Sequence, residues 1–328
     1  MPREQSPQAI VDLAEARAAA RRAHDWQTAD RLRAEIEAAG WTVIDAATLY
    51  SLERAAPPDV VEGAVVRYGS SASVPARFDD EPVGAASVVM IATDWPADVA
   101  RAMRVLVDHS PDGTQLVVVA NEPSPEQAAA LAGLDAFDPG APGISTEVVW
   151  TSARLGHAAA MNAGIRRARA PVVILLDTSV EPGGDLVSAI VAALEDPTVA
   201  VAGPFGLVSS DLRHFSDAPA HATDVDTIEG YAMGFRRADY VARGPLDEHF
   251  AFFRNLDVWW SLVLRDRDED APDAPPRRAL RVSGMPVTRH EHRGWTALPE
   301  AERDRLSRRN FYRVLKRFAS RRDLLVGG

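Results

Sequence analysis

Residues 148–182 read VVWTSARLGHAAAMNAGIRRARAPVVILLDTSVEP. The run divides into a strand, a glycine turn at Gly156, an alanine-rich helix and a second strand, Val172–Leu176. That second strand, VVILL, contains no polar residue, as expected of a parallel strand covered on both faces. Asp177 follows directly, a lone carboxylate where the buried strand emerges. Open α/β sheets bind ligands outside the carboxyl ends of their strands, so Asp177 is expected to point into a ligand site.

The same grammar extends in both directions. Upstream, residues 86–93 (ASVVMIAT) form another buried-strand run, followed by the loop Asp94-Trp95-Pro96 and a helix over 97–109. A strand at 115–120 (QLVVVA) and the turn Asn121-Glu122-Pro123 complete a βαβ unit. Downstream, a helix over 185–194 leads to the strand 199–203 (VAVAG). Strands alternating with helices predict an α/β fold.

This order resembles the core of family-2 glycosyltransferases, whose pattern is roughly N-x-G-x-x-x-A-x-N-x-G, a helix, then an apolar strand ending in D-x-D. Here Gly156, Ala160, Asn162, Gly164 and Asp177 stand in register, while Arg154 takes the place of the first asparagine. Residues 245–266 (PLDEHFAFFRNLDVWWSLVLRD) resemble the family's acidic acceptor-side motif, and residues 286–295 (PVTRHEHRGW) resemble its strand leading to a histidine beside the metal. The resemblance implies a GT-A-type, Rossmann-like mixed sheet flanked by helices. It also implies an enzyme that moves a sugar from a nucleoside-diphosphate donor to a hydroxyl acceptor with a divalent metal, Mn²⁺ or Mg²⁺, and with inversion.

The resemblance assigns roles residue by residue. Thr93, Asn121, Arg154, Gly156, Asn162 and Asp177 fall on the donor side; Gly230, Trp259 and Trp260 fall on the acceptor side. Asp177, Ser179, His290 and His292 are the candidate metal ligands. A hard ion can be held by one or two carboxylates plus donor phosphates. His290 and His292 alternate along an extended segment and so face opposite ways, leaving one to complete the metal shell. Asp257 is the candidate general base, with Asn255 at the position where the family has an acid. Adjacent Trp259 and Trp260 diverge by ~100° on a helix, so one is expected in the core and the other free to stack on a sugar.

Four positions depart from the family pattern: Ala120 for a base-contacting aspartate, Ser179 for the second aspartate of D-x-D, and Arg254-Asn255 for the acidic pair. They motivate a rival reading, a catalytically impaired GT-A-like module that binds a nucleotide sugar or a protein partner.

Composition bounds the alternatives. Apolar residues make up 46% of the 328, which supports a substantial core and excludes global disorder. A net charge of −11 argues against a broad nucleic-acid-binding surface. With no cysteine there is no disulfide, thiolate ligand or thiol nucleophile. Neither a signal-peptide pattern at MPREQSPQAI nor a transmembrane run is evident, so a cytoplasmic location is expected.

The ends carry separate signals. Residues 8–39 read as two helices, the second capped by Asp25 and stopped at Gly40. Asp25-Trp26, Ala29-Asp30, Leu32-Arg33, Gly40 and Asp45 resemble the C-terminal end of cysteinyl-tRNA synthetases, which would imply an RNA-associated role. At the other end, residues 303–322 hold nine basic residues and one acidic, 9 − 1 = +8. Phe311, Leu315 and Phe318 give that helix an apolar strip. Either it packs by the strip with its arginines solvated, or it meets an anionic membrane at the inner face or a phosphorylated acceptor. The expected organisation is a helical hairpin (1–56), a linker or edge segment (57–85), a GT-A-like domain (86–300) and a basic helix (301–328). Oligomeric state is not legible.

Overall fold

The computed structural model describes residues 6–46, 49–134, 143–267, 276–284 and 287–326. Pro286, the first residue of the histidine-bearing segment read from the sequence, lies outside them. The chain forms two compact units, Met1–Pro58 and Asp59–Gly328.

In the first unit, helices Gln8–Arg22 and Trp26–Ala38 are followed by an antiparallel pair, Trp41–Ala46 with Leu49–Arg54. Ile10, Ala14 and Ile36 pack with Trp41 and Val43, which alternate inward along their strand as the pleat requires. The Asp25 carboxylate accepts the Thr28 N–H at 3.1 Å, capping the second helix. That helix ends where Gly40 adopts a left-handed φ of 77°, a conformation that costs glycine nothing. Arg17 grips Asp45 through two bonds of 2.8 and 2.9 Å, and Arg21 joins them. The strand pair is an addition to the two helices that periodicity predicts.

The second unit is built on a ten-stranded sheet among the described residues. Its order is Asp224–Val225, Arg278–Arg281, Val199–Gly203, Ala232–Arg236, Val172–Leu176, Ala86–Ala92, Gln115–Ala120, Ser145–Thr151, Val65–Tyr68 and Val60–Glu62. From Val172–Leu176 to Val65–Tyr68 the strands run parallel; Ala232–Arg236 lies antiparallel to both of its neighbours. The sheet is mixed α/β with helices against it. Residues 60–68 form its outer edge.

Val172–Leu176 sits in mid-sheet, and all five side chains are buried. Val173 and Leu175 enter the core shared with the helix His157–Ile165, while Val172, Ile174 and Leu176 enter the opposite core. Burying each such side chain contributes about 1.5–3 kcal/mol, which explains the unbroken apolar run. Gly164 lets the helix approach: a Cβ there would lie 2.4 Å from Val89 Cγ1. That residue serves packing.

The C-terminal helix, Glu300–Phe318, buries Asn310, Val314 and Phe318, four residues apart on one stripe; Phe311 and Leu315 flank it half-buried. The buried stripe thus differs from the strip expected from sequence, because a polar side chain, Asn310, anchors its start. Several of the helix's cations are paired, Arg305 with Glu302, Arg308 with Asp304, Arg313 with Asp247 and Arg317 with Asp266, which also takes Arg321 from beyond the helix end. This pairing favours the packed reading of the helix. No helix among the described residues is long and apolar enough to cross a membrane.

Candidate active site

Asp177 leaves the central strand at the boundary of two clefts. One, of about 250 Å³, runs past Thr93, Trp95, Asp98, Arg154 and Ser179; the other, of about 60 Å³, runs inward past Glu229, Gly230, Arg254, Asp257 and Trp260. His157, Asp177, Phe253 and His292 line both. The strand end therefore faces ligand-accessible space on two sides.

The two Asp177 oxygens do different work. Oδ1 accepts the Ser179 N–H at 2.8 Å and the Ser179 Oγ–H at 2.5 Å, which fixes the turn after the strand. Oδ2 faces His292 Nε2 at 3.1 Å. Burial pushes the Asp177 carboxyl up, but the His292 and Ser179 bonds outweigh it and hold it below its ordinary value. Burial pushes His292 down, and Asp177 overcomes that to leave it raised. His157, enclosed beside them, is pushed down to about 4 by burial and stays neutral.

The alternating histidines resolve as the pleat dictates. The strand Val287–Arg289 pairs with Val180–Pro182, beside the Asp177 turn. His292 turns into the site, while His290 Nε2 pairs with Glu181 at 2.6 Å and lines neither cleft. The Ser179 hydroxyl donates to Asp177 Oδ1, and Ser179 lines the outer cleft. Arg293 of the same segment reaches Asp98, which is buried and also holds Arg101.

On the inner side, Asp257 occupies the first turn of the helix Leu256–Arg265. Its oxygens accept the Gly230 N–H and the Val258 N–H, both at 2.9 Å. Burial pushes this carboxyl up, against those bonds and the Arg254 cation. Gly230 is as close as it can be, since a Cβ would lie 3.2 Å from Asp257 Cβ. Asn255 holds a left-handed φ of 67° and donates from Nδ2 to the Ser307 carbonyl at 3.1 Å.

Several donor-side expectations become structural ones. Asn121 Nδ2 donates to the Leu155 carbonyl and its Oδ1 accepts the Leu155 N–H, so the amide shapes the 154–156 turn. Asn162 is buried and fully engaged with Leu246, Glu248 and Tyr240, holding the turn before the acceptor-side helix. Gly156 meets the Ala251 backbone, where a Cβ would stand 2.9 Å from Cα. Thr93 and Arg154 line the outer cleft, Arg154 beside Asp94 and Glu122. Trp260 is the core tryptophan, packed against Phe235 and Tyr240 at the base of the inner cleft. Trp259 lines neither cleft; it packs on Phe250 and Phe318, because its side of the helix faces the C-terminal helix.

Glu229, His157 and Phe253 carry no role in the sequence reading. Phe253 stacks on the His292 ring at 4.3 Å between centroids, and Glu229 binds Arg289 at 2.7 Å. Each gave a signal: a lone acid in the run 228–235, a histidine opening a helix, and a phenylalanine in an aromatic cluster.

The sequence profile described as glycosyl transferase family 2 matches residues 87–257, just over half of the chain and inclusive of Asp177 and Asp257. The chain belongs to glycosyl transferase family 2. Among solved structures it resembles GalNAc-T7, crystallised with UDP, GalNAc and Mn²⁺, at a TM-score of 0.54 and 14% identity. That likeness covers 72% of this chain and 48% of the other, and it shows the GT-A fold. A mannosyltransferase from Pyrobaculum calidifontis with GDP-Man and Mn²⁺ scores 0.44 at 16% identity, covering 62% of this chain and 59% of that one. The cysteine–tRNA ligase of Opitutus terrae is 50% identical over 54 residues, which are 16% of this family-2 chain and 12% of the ligase. The chain thus spans about an eighth of that ligase and about half of the solved relatives.

Proposed function

We propose that this family-2 chain is an inverting glycosyltransferase, moving a sugar from a nucleoside-diphosphate donor to a hydroxyl acceptor. The observation that carries the reading is the meeting of Asp177 and His292 at the junction of two clefts, with Asp257 across the inner one. The outer cleft suits the donor and the inner one the acceptor.

The donor atoms at the junction fit a divalent ion. The Asp177 carboxylate and the His292 imidazole meet there, an oxygen and a nitrogen donor that a divalent ion can take. Asp177 and His292 would hold Mn²⁺ or Mg²⁺ together with the donor phosphates. Bound there, the ion would neutralise charge gathering on the departing diphosphate. GalNAc-T7 and its Mn²⁺ on a like fold support that choice.

The chain's own residues supply the rest. Asp257 accepts the acceptor's hydroxyl proton as the oxygen bonds to the anomeric carbon and the bond to the diphosphate breaks on the opposite face. Burial, which pushes this carboxyl up, makes it a better base. Ser179 keeps Asp177 aimed, and Phe253 braces the His292 ring. A positioned base contributes about 10²–10⁴-fold.

Incubation with a panel of nucleotide sugars and Mn²⁺ tests the proposal. Metal-dependent release of nucleotide, abolished in Asp177→Ala and reduced at least about 100-fold in Asp257→Asn, is expected. Asn255, turned to Ser307 instead of the cleft, favours a second reading, a module that binds the nucleotide sugar without turnover. Donor-dependent thermal stabilisation with no nucleotide release in any mixture would select it.

A further inference from the structure

The inner cleft contains a cation, Arg254, that forms no close ion pair among the described residues. Among its charged lining residues, Asp177 faces His292 and Glu229 binds Arg289. Asp257 takes two backbone N–H groups. Arg254 makes no ion pair among the described residues; its guanidinium lies over the Trp295 ring at 5.7 Å and is otherwise exposed.

Its backbone, by contrast, is clamped. Asn310 donates to the carbonyl oxygens of Phe252 and Arg254, and Asn255 is held in a left-handed conformation by Ser307. Non-glycine residues adopt such φ values uncommonly and keep them where surrounding structure enforces them. The enforced turn presents Arg254 at the mouth of the cleft that ends at Asp257. An arginine braced on an aromatic face, with its fork free, is preorganised for bidentate recognition of an oxyanion.

We infer that the acceptor is anionic, carrying a carboxylate or phosphate near the hydroxyl that receives the sugar, and that Arg254 binds this group. The inference rests on the assignment of the inner cleft to the acceptor. It explains why a cation stands at the mouth of this cleft: Asp257, which makes no ion pair among the described residues, would repel a charged acceptor, and Arg254 offsets that repulsion where the ligand enters.

Equilibrium binding of glucose, glucuronate and glucose 6-phosphate to the full chain, with UDP and Mn²⁺ present, separates the cases. At least one charged sugar is expected to bind tenfold or more tightly than glucose, the carboxylate and phosphate arms identifying the source. Arg254→Gln should reduce that ratio to about one and Arg254→Lys should retain part of it, with unfolding temperatures checked for both. Equal binding of all three sugars, or a ratio that survives in Arg254→Gln, overturns the inference. Nucleotide release, measured separately, tests the transferase reading: a charged-sugar preference without turnover sinks that reading alone.

Discussion

Asn310 and Arg254 are joined by a 2.8 Å hydrogen bond, from a fully buried amide on the C-terminal helix to the arginine's carbonyl oxygen. A companion bond of 2.7 Å reaches Phe252. The helix lies beyond residues 87–257, where the family profile matches, yet it fixes the loop that supplies Phe253 and Arg254 to the site.

Replacing Asn310 with leucine keeps the volume roughly constant and removes the donor. Two buried carbonyls are then left without partners, at about 1–3 kcal/mol each. Asn310→Leu is expected to lower unfolding free energy by about 2–4 kcal/mol in urea titrations. Arg308→Gln, on the exposed side of the same helix, should stay within about 0.5 kcal/mol of the parent.

Gly156 is required by contact rather than by φ, which is an ordinary −61°. An added methyl would meet the Ala251 Cα and Cβ at 2.9 and 3.0 Å. The Ala251 carbonyl also accepts the His157 N–H, so backbone must move. Gly156→Ala is expected to cost about 1–3 kcal/mol, read by thermal unfolding. It should also weaken donor-dependent stabilisation, because the displaced loop carries Phe253. A fully parent-like melting curve would show that the loop yields freely.

Much of the architecture was legible because buried parallel strands announce themselves: VVILL, QLVVVA and ASVVMIAT are read directly as sheet. Asp177 was legible for the same reason, as the first polar residue after such a run. Polar roles inside the turns were harder to read. Asn121 and Asn162 look like ligand contacts in sequence, but Asn121 bonds the Leu155 backbone 34 residues away, and Asn162 bonds the Leu246 backbone and the Glu248 and Tyr240 side chains, 78 to 86 residues away. The inner cleft draws Glu229, Arg254 and His292 from separate segments, and only tertiary structure shows that Arg254 makes no ion pair among the described residues. The Asn310 clamp was illegible because its partners, the Phe252 and Arg254 carbonyls, lie 58 and 56 residues away.

In the first unit, Arg17 holds Asp45 well below its ordinary value, at about 2, through a direct hydrogen bond. A depressed carboxyl contributes stability that is present above the unfolded value of about 3.9 and lost as pH falls through the folded one. Acid unfolding of the full chain should therefore steepen between those values, and Asp45→Asn should remove that component. Because the Asp45 side chain is 41% exposed, added salt should shrink the effect.

The most discriminating substitution is at Asn255. In the family pattern this position carries an acid, so Asn255→Asp nominally restores the motif. Here the side chain points to the Ser307 carbonyl, and a carboxylate would set two acceptors against each other across 3.1 Å. The variant is expected to lose about 1–3 kcal/mol of stability from the unmade bond and to gain less than about twofold in nucleotide release. Asp257→Asn, which keeps the side-chain shape but removes the proton-accepting carboxylate, should fall at least about 100-fold. A tenfold or greater rise in Asn255→Asp would instead place the base at 255, since only a carboxylate turned into the cleft could produce it.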